Sequence, residues 1–236
     1  MRLLLISNST NPGEPYLDYP KHEIKNFLGD SVKKVLFLPY AGVTVTWDDY
    51  TKKVADRFKE LGYDVDPIYR HANPVEAVEK AEAIVVGGGN TFRLLQLIRD
   101  SGLIEPVRQK VFSGTPYIGW SAGSNLACPT IRTTNDMPVI QPDSFKAFNL
   151  IPFQINPHYL DAHPEGHAGE TREQRLEEFL ELNPEMCVAG LREGCMLRVE
   201  GKSLQHIGSK TMRIFKKGRE PREVASGEDL NCLMVC

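Results

Sequence analysis

Short apolar runs alternate with amphipathic stretches through the first half of the chain. Residues 3–7, 35–39, 65–68, 83–86 and 117–120 are apolar almost without interruption, the pattern of strands covered on both faces. Between them, Tyr50, Val54, Phe58 and Leu61 fall on one helical face, and Gly62 marks the stop. Leu94, Leu95 and Ile98 mark a second helix, and Asn73-Pro74 pairs a cap with proline at the first helical position. This alternation predicts an α/β fold with a mostly parallel central sheet and helices on both faces. The pattern changes near residue 128. Six of the sixteen prolines lie within 128–170, which reads as loops and short strands. Thr171 and Gln174 form a capping-box signature ahead of Leu176, Phe179 and Leu180. Beyond residue 187, short strands are expected at 188–191, 196–199, 204–207 and 212–215, as antiparallel hairpins added to the same sheet. No repeat or linker interrupts the chain, so a single domain over residues 1–236 is expected.

Composition narrows the function classes. Hydrophobic residues make up 41% of the 236 and charged residues 25%, ordinary globular values that exclude collagen-like, coiled-coil and wholly disordered chains. The net charge of −3 gives a nucleic-acid partner no electrostatic support. No apolar run approaches the ~18 residues of a membrane span. The five cysteines, Cys128, Cys187, Cys195, Cys232 and Cys236, include no C-x-x-C pair, which argues against a disulfide framework or a zinc ribbon. The first apolar run is too short for the ~7–15 residues of a signal-peptide core. A cytoplasmic protein is expected.

Two glycine-rich turns carry the chemical signal. Gly119-Trp120-Ser121-Ala122-Gly123 matches G-x-S-x-G directly after a strand and before a short helical stretch. On such a turn a serine hydroxyl projects from the sheet edge, the glycines admit close backbone approach, and the helix start favours negative charge. Val86-Gly87-Gly88-Gly89-Asn90-Thr91 also joins a strand to a helix. Its bare backbone N–H groups can face an anion, either a phosphate or an oxyanion, or the run is simply a tight turn. It lacks the lysine of a phosphate-binding loop. A serine nucleophile needs a base and a group that orients the base. Of the six histidines (His22, His71, His158, His163, His167 and His206), three lie in the proline-rich stretch 156–167. A catalytic base there is one reading. A metal site from His158, His163 and His167 is another, although Pro157, Pro164 and Gly166 forbid the continuous helix of H-E-x-x-H. Spacing does not select the orienting acid. Glu193, at a strand end before Gly194, is by itself an ordinary turn carboxylate. The basic run Arg213, Lys216, Lys217, Arg219 and Arg222 reads as a solvated hairpin face, and the cysteines read as packing residues.

Taken in order along the chain, these residues resemble the α-aspartyl dipeptidase (peptidase E) family. The family's G-G-G-N-T loop corresponds to Gly87 through Thr91, and its G-W-S-A-G elbow to Gly119 through Gly123. Its N-P-H step is Asn156-Pro157-His158, and its G-E-T-R-x-x-R helix start runs from Gly169 to Arg175. The resemblance spans the whole chain with no departure at these positions. It implies a fold like that of class I glutamine amidotransferases, with a serine in place of their cysteine nucleophile. It also implies a Ser121–His158–Glu193 triad and an oxyanion hole from the N–H groups of Gly89 and Ala122. The implied activity is cleavage of small peptides after an N-terminal aspartate, without a cofactor or metal. Arg172 would bind the substrate β-carboxylate, the natural work of a bidentate guanidinium. Asn90 lies in the anion-cradling loop, and Glu170, Asp161 and Asp136 are candidates for the substrate α-amine.

Other readings stay open at this point. A related serine hydrolase could act on another amide, such as a β-aspartyl-arginine peptide. A non-enzymatic domain could hold a nucleotide or other small anion on residues 87–90. A metallohydrolase could use the loop histidines. A monomer or a homodimer is expected, with no nucleic-acid or membrane partner.

Overall fold

The computed structural model describes residues 1–161, 166 and 169–235. Its elements are β1 (Arg2–Ile6), α1 (Lys21–Leu28), β2 (Lys34–Leu38), α2 (Trp47–Glu60), β3 (Asp64–Pro67), α3 (Pro74–Lys80), β4 (Ile84–Val86), α4 (Thr91–Asp100), α5 (Ile104–Phe112), β5 (Tyr117–Trp120) and α6 (Ala122–Ala127). They continue with β6 (Gln154–Tyr159), α7 (Arg172–Leu182), β7 (Cys187–Arg192), β8 (Met196–Glu200), β9 (Ser203–Ile207), β10 (Met212–Lys216) and β11 (Arg222–Val224). The central sheet has seven strands in the order β3-β2-β4-β5-β1-β8-β9. Its first five are parallel, and β8 and β9 extend it antiparallel beside β1.

Alternation along the strands explains the two layers of helices. Leu3, Leu5, Leu36, Leu38, Ile84 and Val86 face α3, α4, α5 and α6, where they meet Val78, Leu94, Ile98, Val107 and Leu126. Leu4, Ile6, Val35, Phe37 and Val85 face the other way, onto Ile24 and Phe27 of α1 and Val54 and Phe58 of α2. Local signals set the helix ends. Thr46 caps α2 by accepting from Asp49 N, Asn73 caps α3 ahead of Pro74, and the Thr171–Gln174 capping box opens α7.

The sheet differs from the expectation in one respect. Strands β8 and β9 join the central sheet as expected. The segments at 188–191 and 212–215 do not. They become β7 and β10 of a separate four-stranded sheet in the order β11-β10-β7-β6. Within it β6 runs parallel to β7, and β10 is antiparallel to both β7 and β11. This sheet turns Ile155, Ala189, Leu191 and Met212 into the main core and covers its outer face with Leu176 and Leu180 of α7. Strand β7 is buried on both faces and β10 only in part, and neither pattern is peculiar to one sheet, so local patterning does not choose the partner. Among the described residues, no helix is long and apolar enough to cross a membrane.

Candidate active site

The site gathers at the carboxyl ends of parallel strands, the edge where open α/β sheets collect their ligands, with His158 near the end of β6. Strand β5 delivers Ser121. This residue has φ 52° and ψ −111°, a conformation that costs a non-glycine residue ~1–3 kcal/mol and persists only when its surroundings enforce it. Several bonds do so. Ser121 N donates to Ile6 O of β1 at 3.0 Å, and Ser121 O accepts from Ser124 N and Asn125 N at 2.9 and 3.1 Å. The buried Ser124 hydroxyl reaches both Ile6 O and Gly119 O. Gly119 and Gly123 are required by space. A Cβ on the first would press well inside 3.0 Å on the Gly123 carbonyl, and one on the second would do the same to the Val86 carbonyl.

Strands β6 and β7 deliver the other two groups from the second sheet. Their register is Pro157 opposite Leu191 and then Tyr159 opposite Arg192, leaving His158 as the irregular residue, with φ 53°. That bulge turns its side chain toward the elbow. His158 Nε2 lies 2.9 Å from Ser121 Oγ, and His158 Nδ1 lies 2.7 Å from Glu193 Oε1. In the neutral imidazole with its proton on Nδ1, Nδ1–H donates to the carboxylate and Nε2 accepts the serine proton. The ring is thereby held in the tautomer that general-base chemistry requires.

Two residues of the site carried no motif. Ser7 and Asn8, at the end of β1, are 0% and 1% exposed. Ser7 Oγ accepts the N–H of His158 at 2.9 Å and donates to Leu191 O at 2.8 Å, tying β1, β6 and β7 together at the strained histidine. Asn8 Oδ1 accepts from Gly194 N at 2.9 Å and from the Tyr19 hydroxyl at 2.8 Å, holding the turn that carries Glu193. The available signal was a polar pair closing an apolar strand. On pattern alone Ser7 is simply the last residue of the first strand.

The second glycine turn abuts the first. A Cβ at Gly88 would lie 3.0 Å from Ser121 Cβ, so this backbone runs against the serine. Gly89 has φ 135°, and its place beside the Ala41 carbonyl leaves no room for a side chain. Asn90 N donates to that carbonyl at 2.8 Å. The Asn90 side chain caps α4 through Arg93 N and donates to Met137 O, so its amide is engaged within the protein. The N–H groups of Gly89 and Ala122 donate to no group among the described residues. Two free donors beside a serine hydroxyl suit a developing oxyanion.

A cleft of about 660 Å³ opens over Ser121 and His158, lined also by Gly88, Gly89, Asn90 and residues of α2 and the loop before it. Arg172 is not among its lining residues. Its guanidinium donates to Asn135 Oδ1, and Asn135 in turn donates to the carbonyl of Pro157, next to His158. No carboxylate among the described residues pairs with Arg172. Burial, and secondarily the neighbouring Arg175, lower its pKa, as expected of a cation that lacks its counter-charge. The other polar candidates are occupied. Glu170 is exposed and 3.7 Å from Arg175, Asp161 forms a two-point ion pair with Arg192, and Asp136 accepts from Thr91 N at 2.7 Å.

Among the described residues, no group of three or more histidine, cysteine or acidic side chains could hold a metal ion. The rival metal reading needs His163 and His167, which lie outside the described residues, as does Cys236. Cys128, at the end of α6, is fully buried and its thiol pKa is pushed up to about 12 by that burial, so it is no nucleophile. The basic run expected on a free hairpin face is partly ion-paired: Arg213 meets Glu173 and Glu223, and Lys217 meets Glu181.

Comparison with known proteins agrees with this architecture. The sequence profile described as "Peptidase family S51" matches residues 3–207. Peptidase E of Nostoc sp. is 55% identical over 99% of this chain and 96% of its own length. Peptidase E of Salmonella typhimurium is 51% identical over 96% of this chain and 99% of its own. Among solved structures, a peptidase from an acI-B1 actinobacterium superposes with a TM-score of 0.73 at 18% identity, covering 97% of this chain and 96% of its own. A putative peptidase E protein from Listeria monocytogenes gives 0.64 at 20% identity, covering 88% and 98%. At those identities the two structures bear on the fold alone. The protein is thus an α/β peptidase. It belongs to peptidase family S51.

Proposed function

We propose that this chain is a serine-type dipeptidase that hydrolyses the peptide bond after an N-terminal aspartate through an acyl-enzyme on Ser121. The hydrogen-bonded chain from Ser121 through His158 to Glu193 carries the reading. In the first half-reaction, Ser121 Oγ attacks the carbonyl carbon of the aspartyl residue while its proton passes to His158 Nε2. Charge developing on the carbonyl oxygen meets the N–H groups of Gly89 and Ala122, each such donor being worth ~3–4 kcal/mol in the transition state. The imidazolium, held by Glu193, then protonates the leaving nitrogen, and the C–N bond breaks. In the second half-reaction, water attacks the ester and gives its proton to His158. Ser121 leaves, takes that proton back, and free aspartate is released.

Selection of aspartate is supported by Arg172, a half-buried guanidinium without a carboxylate partner among the described residues, and by the Peptidase E names of relatives at 50–55% identity. An asparagine in its place leaves the guanidinium facing a neutral amide and should lose about 10²-fold in kcat/KM. The test is Asp-Leu hydrolysis by the wild type and by Ser121→Ala, with a chelator present throughout. Turnover by the wild type alone supports the serine reading. Turnover that survives in Ser121→Ala, or that the chelator abolishes, refutes it.

A further inference from the structure

An Asp-Xaa dipeptide carries two carboxylates, one on the aspartyl side chain and one at its C-terminus, and Arg172 can neutralise only one. The cleft over Ser121 contains another cation. Lys53, on α2, lines it, and among the described residues it is the only ionisable nitrogen there besides His158, with no acidic side chain in the lining. No carboxylate among the described residues lies within ion-pairing distance of Lys53. Its ammonium instead rests on the ring face of Tyr16, 4.2 Å from the centroid, a contact that steadies the side chain without neutralising it. Three valines also line the cleft. Val43, Val45 and Val139 are 46%, 41% and 57% exposed, an unusual outlay of bare valine on a surface.

We propose that this part of the cleft receives the leaving residue of the substrate, with Lys53 binding its terminal carboxylate and the three valines receiving an apolar side chain. The inference rests on the reading of Ser121 as the nucleophile of an aspartyl dipeptidase, and it adds what limits the substrate to two residues. A cation placed for a carboxylate one residue beyond the scissile bond favours dipeptides over longer peptides, whose next group is a neutral amide. Lys53 contacts only the leaving residue, so its charge acts on substrate binding and not on the chemical step.

The experiment compares Asp-Leu with aspartyl-leucinamide, which differs only in lacking the terminal charge. Wild type, Lys53→Ala, Lys53→Arg and Lys53→Glu are assayed at low and high ionic strength. The wild type should show a KM for Asp-Leu about three- to tenfold below that for the amide, narrowing as salt is added. Lys53→Ala should bring the ratio of the two KM values to about one, Lys53→Arg should keep it, and Lys53→Glu should invert it. The inference is overturned if the ratio survives Lys53→Ala, if Lys53→Ala raises both KM values alike, or if the wild type treats acid and amide equally. Failure of the wild type to cleave either compound would instead overturn the dipeptidase reading, and the inference with it.

Discussion

The chemistry of this site depends on how single residues are held. His158 and Ser121 both have positive φ, and each is fixed by a backbone hydrogen bond from its N–H to β1 or the residue after it. Replacing Glu193 with glutamine keeps the shape but removes the charge that, in the proposed mechanism, stabilises the imidazolium. It should lower kcat by ~10³–10⁴-fold with KM little changed, measurable by steady-state kinetics on Asp-Leu. Ser7→Ala removes the acceptor of the His158 N–H and strands a partly buried donor. Denaturant unfolding should show a loss of ~1–3 kcal/mol, accompanied by a fall in kcat as the imidazole loses its anchor. An unchanged stability would show that Ser7 does not hold the histidine.

At the scale of elements, the close approach of two glycine turns governs the site. Gly123→Ala forces a methyl group onto the Val86 carbonyl, which belongs to the neighbouring strand and cannot yield as a flexible side chain could. Thermal unfolding should reveal a loss of ~3 kcal/mol or more, and activity should fall further than stability because Ser121 moves with the turn. These turns were legible because G-x-S-x-G and Gly-Gly-Gly-Asn each sit between a buried strand and a helix, and local rules apply there. The strand at 117–120 and the capping box at Thr171 were legible for the same reason. The second sheet was not. Strand β7 pairs with β6 and β10 rather than with β8, which follows it in sequence, and nothing in its local pattern names its sheet.

At the scale of the molecule, the site lies where the two sheets meet. The central sheet supplies Ser121, the glycine loop and the Ser7-Asn8 pair, and the smaller sheet supplies His158 and Glu193. Those contacts span 35 and 37 residues within the site and 151 between His158 and Ser7, so spacing alone could suggest His158 but could not select Glu193. The smaller sheet is clamped just outside the site by Arg192, which is 13% exposed in its side chain and pairs with both Asp161 and Glu223. Hydrogen bonds from Arg192 hold the Glu223 carboxyl at about 2, and they lower Asp161 as well. Carboxylates depressed in this way stabilise the fold above their unfolded pKa values, and that contribution is lost as pH falls through the folded ones. The melting temperature should therefore drop between about pH 4.5 and 2. Arg192→Leu should flatten that slope and cost ~2 kcal/mol at neutral pH, a figure reduced for the half-exposed carboxylates. An acid slope unaltered by Arg192→Leu would place the titrating groups elsewhere.

The central claim is that Ser121 carries the substrate covalently. It is tested most directly by quenching the enzyme in acid during turnover of aspartyl p-nitroanilide and measuring intact and peptide masses. The account predicts a species heavier by one aspartyl residue, mapped to the peptide containing Ser121 and absent from Ser121→Ala. Turnover without any adduct on that peptide, undiminished in Ser121→Ala, would contradict it.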